Sequence, residues 1–208
     1  MDAIWAMRSL GIDPATGQEI FLAKDKDGKD YRTFYYSANQ QVVCGDRLPK
    51  FRGNFSINTN YRGFGLSAVL NYQWGASMYN STLVDKVENV NMNYNVDRRV
   101  YTDRWREEGQ LSKYKKIQKV LVSNRDALLS TTTEPTSRFV QKRNELQISS
   151  LQLSYDFYRY DFVKKLGLER LVVKFNTNNL YTFSTIKVER GTAYPFARTF
   201  SGSINVVF

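Results

Sequence analysis

Residues 51–61 read FRGNFSINTNY. Phe51, Gly53, Phe55, Ile57, Thr59 and Tyr61 fall on one side of an extended chain, and Arg52, Asn54, Ser56, Asn58 and Asn60 on the other. Period two held over this length marks a strand and does not fit the 3.6-residue period of a helix. Arg62-Gly63 then forms a two-residue turn. FGLSAVLNYQWGAS alternates again: Phe64, Leu66, Ala68, Leu70, Tyr72 and Trp74 oppose Gly65, Ser67, Asn71, Gln73 and Gly75, with Val69 the exception. Strands of globular proteins run about 5–6 residues, whereas a tilted strand crossing a bilayer needs about 9–11. The hairpin therefore reads as a wall between lipid and water. Tyr61, Phe64, Tyr72 and Trp74 stand where aromatic girdles belong.

The pattern recurs. LQISSLQLSYDF carries Leu146 and Ile148, then Leu151, Leu153, Tyr155 and Phe157, with a phase slip at Ser149-Ser150 that reads as a bulge. LVVKFNTNNLYTF gives Leu171, Val173, Phe175 and Thr177 and slips at Asn178-Asn179. YRYDFVKKLGLER between them predicts one or two helical turns ending near Gly167. A fifth strand runs from Phe196 to Phe208, with Phe200, Gly202, Ile204, Val206 and Phe208 on one face. Residues 80–138 lack sustained alternation. A loop that long is foreign to a compact soluble domain but expected outside an outer-membrane barrel, where short periplasmic turns alternate with long external loops. The predicted fold is all-β, the last several antiparallel strands of a large transmembrane barrel, an open curved sheet if isolated. Residues 1–50 are expected to be an external hairpin and loop region leading into the barrel strands of 51–208, with the long external loop at about 80–140.

Composition narrows function. Lys and Arg number 30 against 20 Asp and Glu, a net charge of +10, but the cations are dispersed and form no nucleic-acid-binding face. On external loops such charge suits the anionic outer leaflet. His is absent, removing the commonest general base and metal ligand. The single cysteine, Cys44, excludes an internal disulfide and has no His to activate it. An enzyme would have to rely on carboxylates such as Glu107-Glu108, which read as a solvated loop. No cofactor is expected. Asp25, Asp27 and Asp30 lack the glycine and glutamate positions of an EF-hand loop and read as a turn at Asp27-Gly28.

Short motifs in order carry a resemblance: GIDPATGQEIFL, GDRLPKFRGNF, NYRGFGLS, DRWREEG, SRFVQKRNELQISSLQLSYDF, NNLYTF and YPFARTFSGSINVVF. Together they resemble the C-terminal end of SusC/RagA-type TonB-dependent outer-membrane transporters, with Arg62 where that family has Lys and Tyr158 where its proline is common. The resemblance implies TonB-powered import of oligomeric nutrients, glycans or peptides, across the outer membrane. It implies a barrel closing with about 22 strands around a plug, and a SusD-like surface lipoprotein as lid. Further implied partners are outer-membrane lipid, the barrel-assembly machinery, and a TonB complex reached through a part N-terminal to this stretch. The stretch has no plug domain, TonB box or signal peptide and reads as a C-terminal fragment. Competing readings are a small self-contained outer-membrane barrel or adhesin and a secreted sugar-binding β-domain.

Three groups of residues are singled out. Phe200, Ile204, Val206 and Phe208 form the expected barrel-assembly signal. Tyr101, Arg104 and Trp105, in the external loop, are candidate contacts for cargo or lipoprotein. Arg52, Asn54, Asn58, Asn71 and Gln73 are expected to face the lumen.

Overall fold

The period-two stretches become long strands in the computed structural model of the protein, which describes residues 1–122, 125–129, 132–187 and 198–208. In chain order the strands are β1 (Ala3–Ile12), β2 (Glu19–Lys24), β3 (Asp30–Thr33), β4 (Gln41–Asp46), β5 (Phe51–Tyr61) and β6 (Phe64–Tyr79). They continue with β7 (Gln118–Val122), β8 (Arg125–Leu129), β9 (Val140–Asp156), β10 (Arg170–Ser184) and β11 (Thr199–Val207). The residues group into two compact units, 1–48 with 77–142, and 49–76 with 143–208.

The second unit holds the expected five strands, in the order β11-β10-β9-β6-β5, with β5 and β11 as the sheet's edges. β5 and β6 pair antiparallel from Phe51↔Trp74 to Tyr61↔Phe64 without a slip. The turn works because Arg62 and Gly63 both take positive φ, 48° and 90°, the conformation whose twist suits a two-residue hairpin. Directly paired residues share a face, so the register sorts the sheet. Phe55↔Leu70, Ile57↔Ala68, Val173↔Ile204 and Leu171↔Val206 lie on one side; Arg52↔Gln73, Asn54↔Asn71, Lys174↔Ser203 and Asn176↔Ser201 lie on the other.

Both phase slips of the sequence meet in a single irregularity. Asn178 pairs with Ser150 and Tyr181 with Ile148, so Asn179 and Leu180 stand opposite Ser149, and Asn179 takes φ 52°. The bulge keeps Tyr181 and Phe183 in the same row as Ile148 and Leu146. The predicted helical turns are Asp161–Lys165, closed by Gly167 at φ 73°. Part of the expected fifth strand, residues 196 and 197, and most of the expected loop 184–195 fall outside the described residues.

The apolar side of this sheet does not converge on a core. Phe51 is 69% exposed, Ile204 68% and Phe208 85%. Phe51 and Trp74 mark one end of the hairpin, and Tyr61 and Phe64 the other. Ten residue steps at about 3.3 Å, tilted by about 40°, project to about 25 Å, the height of the outward apolar band of an outer-membrane barrel.

The first unit differs from expectation. Residues 1–50 form more than one hairpin: β1 to β4 make a sheet in the order β3-β2-β1-β4, over a small core of Met7, Phe21 and Ala23. The predicted turn is present, with Asp25 accepting the N–H groups of Asp27 (2.9 Å) and Lys29 (2.8 Å) while Gly28 takes φ 79°. The segment after Asn80 packs Leu83, Val84, Val87, Val90, Val100 and Tyr114 around Phe139. Its helices, Ser81–Leu83, Val84–Glu88 and Arg98–Thr102, are too short to show a sequence period.

Charge ties this unit together. The Arg138 guanidinium donates to Glu19 (2.9 Å) and to Glu88 (2.7 Å), whose side chains are 5% and 0% exposed. Burial would push the Glu19 carboxyl up, yet Arg138, Ser9 and Thr136 hold it below its ordinary value of 4.5. Its stabilising effect is therefore present above that value and is lost as pH falls through the lower folded one.

Two outcomes follow from this architecture. Ile57→Arg, near the middle of the apolar face, should cost about 2–4 kcal/mol in a bilayer, while Ser56→Arg next to it should be nearly neutral; urea midpoints of the barrel in liposomes would separate them. Arg138→Gln strands two buried carboxylates and should cost about 3–5 kcal/mol. Limited proteolysis should show residues 80–117 opening near neutral pH, with the loss smaller below the carboxylate range.

Candidate functional site

The polar side of the five-stranded sheet gathers the residues expected to face a lumen. Arg52 lies opposite Gln73, Asn54 opposite Asn71, and Asn58 opposite Ser67, whose hydroxyl donates to the Asn58 side-chain oxygen at 2.6 Å. β9 contributes Arg143, Glu145 and Gln147, which the sequence reading did not single out. Their alternation against Leu146 and Ile148 was the signal that could have found them.

Glu145 organises this end of the wall. Its carboxylate accepts from the Gln73 amide, from Arg143 Nε at 2.8 Å and from the Ser184 hydroxyl at 3.2 Å, joining β6, β9 and β10. Gln147 Nε2 reaches the bulge residue Asn179 at 3.1 Å. Around these groups lies a concavity of about 540 Å³, lined by Arg52, Asn54, Asn71, Gln73, Arg143 and Gln147 among others. A second, of about 600 Å³, sits at the hairpin-turn end beside Asn60, Gln152, Ser154, Lys174 and Asn205. There Arg170 pairs with Asp156 at 2.6 Å. Such surfaces offer amides, hydroxyls and cations to a hydrated solute. Among the described residues no three His, Cys, Asp or Glu gather as a metal site.

Phe200, Ile204 and Val206 lie in the apolar row, opposite Thr177, Val173 and Leu171, and Phe200 stacks on Phe175 with ring centroids 6.0 Å apart. Phe208 follows β11.

The loop residues divide. Tyr101 is 67% exposed, with the Arg106 guanidinium 3.7 Å from its ring centre. Trp105 is half-buried and shares with Tyr101 a hollow of about 370 Å³. Arg104 is 2% exposed, so its guanidinium is not available to a ligand: it holds the carbonyls of Val87, Glu88 and, at 2.8 Å, Lys115. A buried cation of this kind persists because backbone acceptors replace its water.

Trp105 also explains two of the motifs. In GIDPATG the Asp13 carboxylate accepts from Ala15 N and the Thr16 hydroxyl, and Gly17 closes the loop at φ 68°. The Trp105 indole N–H donates to Pro14 O at 2.8 Å, and Gly109 N to the same carbonyl at 2.9 Å. A Cβ on Gly17 would meet the indole at 2.5 Å. DRWREEG thus docks on GIDPATG, about 90 residues earlier.

A sheet with one face apolar and exposed and the other amide-rich has the two-faced pattern of a β-barrel wall. The comparisons agree. No protein-family model matches the chain. A TonB-dependent receptor of Formosa agariphila is 28% identical over 151 residues, covering 71% of this chain and 14% of the receptor. The structure of the RagAB peptide transporter matches with TM-score 0.75 and 20% identity, over 98% of this chain and 22% of the other. The RagAB peptide importer in its open-open state matches with TM-score 0.73 and 19% identity, over 99% and 22%. The resemblance to SusC/RagA-type TonB-dependent transporters therefore holds in sequence and in fold, and the chain spans only a minor part of each of these proteins.

Gly17→Ala tests the docking of the two motifs. It meets the indole and forces an alanine to positive φ, costing about 1–2 kcal/mol for the backbone and about 1–3 for the overlap. Hydrogen exchange should quicken at Gly109 and Lys116, whose N–H groups bond Pro14 and Gly17, and stay unchanged in β5 and β11.

Proposed function

We propose that this chain forms the C-terminal part of the barrel of a TonB-dependent outer-membrane transporter that imports oligomeric glycans or peptides. The observation that carries the reading is the two-faced sheet: an apolar band about 25 Å tall by strand geometry, backed by the amides and cations of β5, β6, β9 and β10. The likeness to a TonB-dependent receptor and to RagAB, named for peptide transport, supports it. No catalytic role is assigned.

In this reading the remaining strands and a plug complete the barrel, and TonB acts through a part N-terminal to the chain. Lipid covers Phe51, Ile57, Leu153 and Val206. The unit of residues 1–48 and 77–142 lies outside the cell, where Tyr101 and Trp105 meet cargo or a SusD-like lipoprotein; Arg104 supports them from beneath. Arg52, Asn54, Asn58, Asn71 and Gln73 face the lumen. Phe200, Ile204, Val206 and Phe208 are the row read by the barrel-assembly machinery.

The complete protein should fractionate with the outer membrane as a heat-modifiable barrel and support uptake of oligomers that stops when TonB is deleted. Phe208→Ala should lower the folded, heat-modifiable fraction several-fold with synthesis unchanged. Uptake that persists without TonB sinks the transport reading, and an unchanged folded fraction removes the assembly role.

A further inference from the structure

The lumen-facing side of the sheet has more cations than its acids can neutralise. Arg52, Arg143, Arg170 and Lys174 lie on the polar rows of β5, β9 and β10, where the acids are Glu145 and Asp156. Each acid already has an arginine: Arg143 on Glu145 at 2.8 Å and Arg170 on Asp156 at 2.6 Å. Glu145 is further saturated by Gln73 and Ser184. Arg52 and Lys174 have no ion-pair partner among the described residues.

The two cations occupy different concavities. Arg52 stands in the one of about 540 Å³ with Asn54, Asn71 and Gln73; Lys174 stands in the one of about 600 Å³ with Asn60, Gln152, Ser154 and Asn205. Their separation follows from the ladder. Lys174 is opposite Ser154, Ser154 touches Gly65, and Gly65 is opposite Asn60. From Arg52 to Asn60 is eight residues, about 26 Å along the strand. A cation in a concave, low-dielectric wall focuses its field on the solution it faces, and screening over about 8–10 Å leaves the two stations independent. No single sugar or amino acid reaches both.

We infer that this wall selects carboxylate-bearing oligosaccharides, with Arg52 and Lys174 as successive stations along the path. The inference rests on the transporter reading and adds the charge class of the cargo. Sugar is favoured over peptide because both cations share their concavities with amides and hydroxyls, Asn54, Asn71 and Gln73 around Arg52 and Asn60, Gln152, Ser154 and Asn205 around Lys174, which match the paired hydroxyls of a sugar. Apolar interruptions of this face are few: Val69 lies opposite Ser56, and Val172 and Val207 border the concavity of Lys174.

The test uses the complete, detergent-solubilised protein, checked first for the heat-modifiable mobility of a folded barrel. Probes are fluorescent tetragalacturonate, its methyl ester and tetraglutamate. Expected at 50 mM salt is binding of the acid sugar at least about ten-fold tighter than the ester, an advantage that shrinks in 500 mM salt. Each of Arg52→Gln and Lys174→Gln should weaken the acid about three- to ten-fold and leave the ester unchanged. Equal binding of acid and ester, no binding of either, or variants that bind like the parent overturns the charge assignment. Tetraglutamate binding as tightly as the sugar acid overturns the choice of sugar. Loss of the barrel mobility itself refutes the transporter reading instead, so the two failures are distinct.

Discussion

The structure depends on where the apolar face of the five-stranded sheet goes. Phe51, Ile57, Phe175 and Ile204 line up on one side by strict pairing and remain exposed. Each large apolar side chain left in water forgoes about 1.5–3 kcal/mol relative to burial. A monomer in water does not keep such a face bare over several adjacent strands. In the proposed barrel hydrocarbon supplies the missing contact, and in hydrocarbon every backbone N–H and C=O must be paired within the sheet. The unbroken eleven-residue ladder of β5 with β6 meets that requirement.

The opposite face obeys different physics. Amides and hydroxyls bridge neighbouring strands where a globular sheet would bury leucines. Glu145 is the clearest case, since one carboxylate draws donors from β6, β9 and β10. A wet concave face tolerates exchange of one polar side chain for another, because water completes whatever hydrogen bonds are lost. Polar side chains can change there without disturbing the apolar rows, since alternation keeps the two sets of side chains on separate faces.

Legibility followed interaction range. The β5–β6 hairpin was visible because its determinants are local: an alternating row, a two-residue turn, a second row. The bulge was visible too, as two slips that the register merges at Asn179. The four-stranded sheet and the segment after Asn80 were not. Arg138 meets Glu19 across 119 residues, and Trp105 meets Pro14 across 91. Three- and five-residue helices carry no amphipathic period to detect. Arg104 looked like an exposed loop cation because nothing nearby in sequence announces the carbonyls of Val87, Glu88 and Lys115 that enclose it.

These two kinds of order imply different sensitivities to change. In the five-stranded sheet each position contributes through its own row, so in the proposed barrel a substitution is felt in proportion to its depth and to whether it faces hydrocarbon. In the other unit a few buried charges hold distant segments together. Arg138 alone joins β2, through Glu19, to the helical turn carrying Glu88. Removing one member leaves its partners charged and buried, a larger cost than the pair's net worth. The first architecture accommodates drift at many positions with small effects at each. The second concentrates the consequences in Glu19, Glu88, Arg104 and Arg138. The motif pair GIDPATG and DRWREEG shares that property through Gly17, whose missing side chain is what admits the indole.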